Sequence, residues 1–188
     1  MSIEIEKLET LHKGWNNFSI ATIRLADGQR ITRAIEDHGR AVAVLAYDPE
    51  RKMALLVRQF RAPVYIATKA PDLLEVIAGL IDDEDPAATA RREAMEEAGL
   101  TLSVLEPVAQ VWSIPGSSTE RIDMFLAAYR QSDRVGDGGG LDHEHENITV
   151  VEMPLAELAR MADSGGLTDM KTLALIQTLR LRKPALFR

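Results

Sequence analysis

Residues 78–100 read AGLIDDEDPAATARREAMEEAGL, and this stretch decides the fold. Pro86 suits the first position of a helix, Asp85 before it can cap the N-terminus, and Gly99 can end it. The spacing predicts a helix over 86–98 that follows a buried strand, LLEVIAG, at 73–79. Within the helix Glu93, Glu96 and Glu97 fall at i, i+3 and i+4, so three carboxylates share one face. Like charges at this spacing cost about 0.2–0.5 kcal/mol per pair. They also lie toward the C-terminal end, where the helix dipole disfavours anions. Two explanations stay open at this point. The cluster is a solvated acidic face, with Arg91 and Arg92 as ordinary surface ion-pair partners. Or it holds a hard divalent cation such as Mg²⁺ or Mn²⁺, which clustered oxygen ligands suit.

Working outward, FSIATIRL (18–25) reads as a strand, Ala26-Asp27-Gly28-Gln29 as a hairpin turn, and residues 30–35 as the return. AVAVLAY (41–47) and MALLVRQF (53–60) are continuous apolar runs of the kind buried on both faces of a sheet, joined by Asp48-Pro49-Glu50. A Pro-containing loop leads into 73–79. Beyond Gly99, residues 104–112 and 121–129 are strand candidates and NITVVEM (147–153) is the last strand. Residues 131–146 form a long loop rich in glycine and acids, and loops of this length in compact domains are usually functional or disordered. Residues 154–162 and 169–182 close the chain as helices. The expected class is mixed α/β, an α/β/α sandwich with a small N-terminal β-sheet segment.

Composition narrows the function. The chain has 188 residues, and 22 basic against 29 acidic side chains leave a net charge of −7. That balance opposes sequence-independent nucleic-acid binding, which needs a basic surface against phosphates. The C-terminal Arg180, Arg182, Lys183 and Arg188 read as a solvated helix end. No apolar run approaches the roughly 20 residues of a membrane-spanning helix. The N-terminus lacks a secretory pattern and there is no cysteine, so the expected location is the cytoplasm. An anionic ligand would have to be attracted by a divalent cation and a few placed arginines.

The flanking pattern of the acidic helix carries a resemblance. Gly79, the acids at 82–85, and Arg92-Glu93-x-x-Glu96-Glu97-x-Gly99-Leu100 resemble the Nudix box, G-x5-E-x7-R-E-U-x-E-E-x-G-U with U apolar. The half from Arg92 to Leu100 fits, with Ala94 as a small apolar residue. The other half is one residue short: counting from Gly79 reaches Asp85, and counting back from Arg92 reaches Glu84 but puts Ala78 where the glycine belongs. The similarity extends to the nucleoside-diphosphate-sugar branch, ADP-ribose pyrophosphatases and GDP-mannose hydrolases. It is carried by Arg58-Gln59-Phe60-Arg61, by the Ser-x-Pro-Gly element within 113–120, by 138–146 (GGGLDHEHE) and by Asp169-Met170-Lys171-Thr172.

The resemblance implies Mg²⁺, with Mn²⁺ as a substitute, held by the Ala78 carbonyl, Glu93, Glu97 and the late-loop Glu146, with Glu96 as a further candidate. It implies Glu144 as the general base, Glu97 and Glu96 beside it in the catalytic set, and substrate contacts from Arg33, Arg61, Ala78, Gly79, Glu120 and Lys171. Which of Glu144 and Glu146 takes the proton stays open. Ala34 stands where the branch has a glutamate after Arg33. Trp15 and Phe18 read either as base-stacking rings or as packing, His38 as a turn residue, and Gly138–Gly140 as a hinge that lets the base loop close.

The implied activity is hydrolysis of a nucleoside diphosphate sugar, with GDP-mannose (giving GMP and mannose 1-phosphate) slightly ahead of ADP-ribose (giving AMP and ribose 5-phosphate) because of the short box. Alternatives are a non-catalytic nucleotide sensor, which surviving Glu93, Glu96 and Glu97 oppose, and a housecleaning hydrolase of nucleoside triphosphates. The resemblance further implies a homodimer, with residues 1–40 exchanged between copies and contacting substrate, and residues 41–188 as the hydrolase domain.

Overall fold

The computed structural model describes residues 2–82, 85–141 and 147–188. In chain order the elements are β1 (Glu4–Lys13), β2 (Asn17–Arg24), β3 (Arg30–Asp37), β4 (Arg40–Asp48), β5 (Met53–Gln59), α1 (Ala62–Thr68), β6 (Leu73–Glu75), β7 (Ile77–Ile81), α2 (Pro86–Ala98), β8 (Glu106–Trp112), β9 (Arg121–Ala128), β10 (Thr149–Pro154), α3 (Leu155–Ser164) and α4 (Met170–Arg182). The class is the mixed α/β expected. The chain divides into two compact units, Met1–Ala41 with Gln110–Ile122, and Val42–Ala109 with Asp123–Arg188.

In the first unit β1, β2 and β3 form an antiparallel sheet in that order. The β2–β3 turn needs Gly28, whose φ is +87°, and Asp27 Oδ1 accepts the Gln29 N–H at 3.0 Å. The return strand runs on to Asp37, past the expected end. Sequence reading left β1 out. Its register slips between Ile5 and Lys7 and again between Thr10 and His12, so its apolar residues follow no single period, and every one of its residues is exposed.

The second unit is built on a seven-stranded sheet of order β10-β5-β4-β9-β8, with β6 beside β5 and β7 beside β4. The first half of β5 pairs with β4 (Ala46↔Leu55), and its second half pairs with β6 (Val57↔Glu75). The run at 73–79 is therefore two short strands, split at Val76 because each serves a different neighbour. Along β4, Val42, Val44 and Ala46 join Leu55, Val57, Ile77 and α2 in one buried cluster. Ala43, Leu45 and Tyr47 alternate to the other face and are also buried, with Lys183 at the end of α4 over the Tyr47 ring. Helices thus cover both faces. α1 occupies the segment expected to be a loop; Pro63 sits in its first turn and none of its residues is buried.

The basic helix end is paired within the chain, Arg180 with Asp163 and Arg182 with Glu106. Among the described residues, no helix is long and apolar enough to cross a membrane.

Candidate active site

The site begins with how α2 meets the sheet. Asp85 accepts the Ala87 and Ala88 N–H groups at 3.1 and 3.3 Å, capping the helix. Gly99, at φ +62°, closes its other end: its N–H donates to Met95 and that of Leu100 to Ala94. Ala90, Ala94 and Ala98 recur every four residues and are fully buried, which lets the α2 backbone approach the sheet closely. Glu93 and Glu97 flank that stripe and are only 8% and 1% exposed. The solvated-face explanation therefore does not describe these two, while Glu96 is partly exposed.

Glu97 Oε2 accepts the Ala78 N–H at 3.2 Å, which ties its carboxylate to β7. Gly79 has a steric reason to be glycine: a Cβ there would lie 2.0 Å from Cδ of Glu93. The carboxylate of Glu93 rests where any other side chain would begin. Arg92 spans Glu93 Oε1 at 2.9 Å and Glu96 Oε2 at 2.8 Å. Arg91, expected as a surface ion-pair partner, instead donates to the backbone oxygens of Ala87, Leu102 and Ser103. Of the two candidates for the first box acid, Asp85 is the helix cap and Glu84 lies outside the described residues.

The triple glycine allows close approach at the end of α2. A Cβ on Gly138 (φ +71°) would run into Glu97 O and lie 2.6 Å from Ala98 Cα. The Gly139 and Gly140 N–H groups donate to Glu97 O and Glu96 O at 2.9 and 3.1 Å, satisfying carbonyls that a helix end leaves unpaired. The segment that leads into 142–146 is anchored on the glutamates' own backbone. Glu144 and Glu146, the expected base and late metal ligand, lie outside the described residues. Among the described residues, no three acidic or imidazole groups gather as a ready metal cage.

Beside the helix glutamates sits a cluster of alternating charge. Arg61 donates from Nε and Nη2 to Glu75 Oε1 and Oε2 at 2.7 and 3.2 Å, and Lys171 Nζ donates to Glu75 Oε2 at 3.1 Å and to Asp169 Oδ1 at 2.8 Å. Asp169 caps α4 through the Thr172 N–H, and Thr172 Oγ1 accepts the Val76 N–H at 2.8 Å. Burial works against the charge of Lys171, but Glu75 and Asp169 outweigh it and raise its pKa. Burial likewise opposes the charge of Arg61, and Glu75, with Glu97 and Asp169 at longer range, raises its pKa. Burial pushes Asp169 up, and Lys171 and Thr172 pull it below its ordinary value. Arg61 and Lys171 are thus brought together, while Glu75, which ties them, was missed. A lone acid within an apolar strand was the available signal, since buried acids are almost always paired.

Arg33 and Glu120 belong to the first unit. Arg33 is exposed and its Nη1 donates to the neighbouring Thr32 carbonyl. Residues 113–120 form a turn closed by Ser117 and Ser118 N–H groups on Ile114 O. His38 is no mere turn residue: its Nδ1 meets Glu36, its Nε2 lies 3.1 Å from Glu120, and Trp15 stacks on its ring at 5.3 Å. Burial disfavours its charge, but the two carboxylates prevail and raise its pKa. Trp15 is well exposed on its outer side, and Phe18 leans on His12.

A strand with a glycine at its middle, faced by two buried glutamates of the helix that follows, is the arrangement expected of the box at 79–100. The family model described as NUDIX domain matches residues 37–173, and the chain belongs to this family. Among its relatives, the GDP-mannose pyrophosphatase of Cronobacter sakazakii is 37% identical over 190 residues, covering 97% of this chain and 98% of that protein. That of Yersinia enterocolitica is 36% identical over 185 residues, covering 94% and 95%. A crystal structure of an ADP compounds hydrolase superposes with a TM-score of 0.77 at 17% identity, covering 98% of this chain and 96% of that one, a likeness of fold.

Proposed function

We propose that the protein is a hydrolase that splits the diphosphate of a nucleoside diphosphate sugar, and that GDP-mannose is its substrate: with water it gives GMP and mannose 1-phosphate. One observation carries the proposal: Glu93 and Glu97 lie buried against β7 in a chain that aligns nearly end to end with GDP-mannose pyrophosphatases. Burying two carboxylates side by side is costly without cationic company. Their hard oxygens suit Mg²⁺ or Mn²⁺. The residues that would hold the ion are Glu93, Glu97, the Ala78 carbonyl and Glu146, with Glu96 at the edge. Such an ion neutralises phosphate charge and acidifies bound water.

The chain's own residues do the rest. Glu144 takes the proton of the attacking water as the P–O bond to the bridging oxygen breaks. Arg61 and Lys171 grip phosphate oxygens, Gly79 gives the substrate and Glu93 room at the strand, and Arg33 and Glu120 contact the nucleotide or sugar. We further propose that residues 1–40 pair with a second copy of the chain, leaving 41–188 as the catalytic domain. The fully exposed β1, with Ile5, Leu8 and Leu11 in the open, supports that arrangement. A mass measurement that finds only monomer at micromolar concentration overturns it. For this role the protein acts in the cytoplasm, where nucleotide sugars are made and spent.

The test of function is chromatography of products from parallel incubations with GDP-mannose, ADP-ribose and a nucleoside triphosphate, each with Mg²⁺. Release of GMP and mannose 1-phosphate, faster than any product from the other two and abolished by EDTA, is expected. Faster cleavage of ADP-ribose or of the triphosphate overturns the substrate assignment, and no cleavage of any overturns the enzyme.

A further inference from the structure

Glu75 has no part in the chemistry above, yet it is the most enclosed member of the cation cluster, its side chain 2% exposed. Burying a carboxylate so deeply is costly without positive charge beside it, and Glu75 receives both Arg61 and Lys171. Neither cation is used up by the contact. Among the described residues, Nη1 of Arg61 donates to no acceptor, and Lys171 gives two of its three protons, one to Glu75 and one to Asp169. Arg61 keeps 40% of its side chain exposed.

The shared carboxylate also settles a conflict. Two like charges gathered on one point repel strongly at low dielectric, and Glu75 is the carboxylate that contacts both of them. The frame around it is stiff: β6 pairs with β5 at Glu75, and the next residue, Val76, donates to Thr172, which Asp169 holds at the start of α4. Lys171 leaves α4 beside that same cap.

We propose that Glu75 is a positioning residue: it holds the guanidinium of Arg61 and the ammonium of Lys171 at one spacing, so that their remaining N–H donors form a two-point clamp for a diphosphate. The inference rests on the proposed role of Arg61 and Lys171 as substrate contacts and adds what aligns them. A preset clamp spends little ordering free energy on binding, so its loss shows mainly in substrate affinity.

The test is steady-state hydrolysis of GDP-mannose with Mg²⁺ by the full chain and by Glu75→Gln, Glu75→Asp, Arg61→Met and Lys171→Met, with melting temperatures alongside. Glu75→Gln is expected to raise KM by about 10-fold or more while kcat stays within about threefold. Glu75→Asp, which keeps the charge on a shorter arm, recovers part of that loss. In the Arg61→Met/Lys171→Met background, Glu75→Gln adds less than about twofold, because nothing is left to align. If Arg61→Met and Lys171→Met leave KM unchanged, or the wild type has no turnover, the underlying reading fails and takes the proposal with it. If those two raise KM but the Glu75 variants lower only melting temperature or kcat, the proposal alone is overturned. Should Glu75→Gln not fold, Glu75→Asp decides: KM about threefold or more above wild type supports the clamp, and an unchanged KM refutes it.

Discussion

Gly79→Ala isolates the contact between β7 and α2. The new Cβ would stand 2.0 Å from Cδ and 2.6 Å from Cγ of Glu93, against an ordinary van der Waals contact of 3.4–4 Å. The atoms in its way belong to a side chain, so the strand and the helix can keep their places and the carboxylate must yield by about 1.5 Å. Misplacing a catalytic group by about 1 Å costs about 10²-fold in rate, or about 2.7 kcal/mol of barrier. Stability should change far less, by about 1 kcal/mol, because Glu93 can swing outward toward water. The assay is kcat for GDP-mannose hydrolysis over a Mg²⁺ titration, with urea unfolding on the same samples. The expected result is a rate about 100-fold down and a raised Mg²⁺ requirement, in a protein that unfolds near the wild-type midpoint. A rate within about threefold of wild type would show that the position of Glu93 does not matter to the reaction.

Three further outcomes follow from the charges and glycines. His38, drawn upward by Glu36 and Glu120, stabilises the first unit below its unfolded pKa near 6.5 and loses that contribution as pH rises through the higher folded value; melting scans from pH 5.5 to 8.5 should show a decline that His38→Gln flattens, and parallel curves would refute it. Asp169→Ala removes the α4 cap and one partner of Lys171, so urea unfolding should lose about 1–2 kcal/mol at neutral pH; because the pKa of Asp169 is lowered, the difference should vanish as pH falls from 3.8 through the folded value. Gly138→Ala puts a side chain at φ +71° onto the backbone of Glu97 and Ala98, so stability should fall by about 2–4 kcal/mol, and a loss under about 0.5 kcal/mol would contradict the close packing of that loop.

How legible the molecule is in its sequence varies by element. α2 can be read almost to the residue, since Asp85, Pro86 and Gly99 are local signals and each acts locally. The core strands show themselves as apolar runs because both their faces are buried. β1 is not readable: two register slips break its alternation and no burial enforces a pattern. α1 hides behind Pro63 and β-branched residues, and none of it is buried. At the site, the helix glutamates are legible by spacing. The partners that hold Arg61 and Lys171 are not, since Glu75 and Lys171 stand 96 residues apart and only the fold brings them together. The same holds for His38 and Glu120, separated by 82 residues. The glycines of 138–140 can be seen in the sequence, but what they pack against cannot.

The central claim is that the buried glutamates of α2 carry out hydrolysis of a nucleotide sugar. Glu97→Gln tests it most directly, because it removes one charge while keeping the shape of the side chain that accepts the Ala78 N–H. With GDP-mannose and Mg²⁺, product chromatography should show kcat reduced by at least about 100-fold, about 2.7 kcal/mol of barrier, in a protein that melts no lower than wild type. Turnover close to the wild-type rate would contradict the claim and place the chemistry elsewhere in the chain.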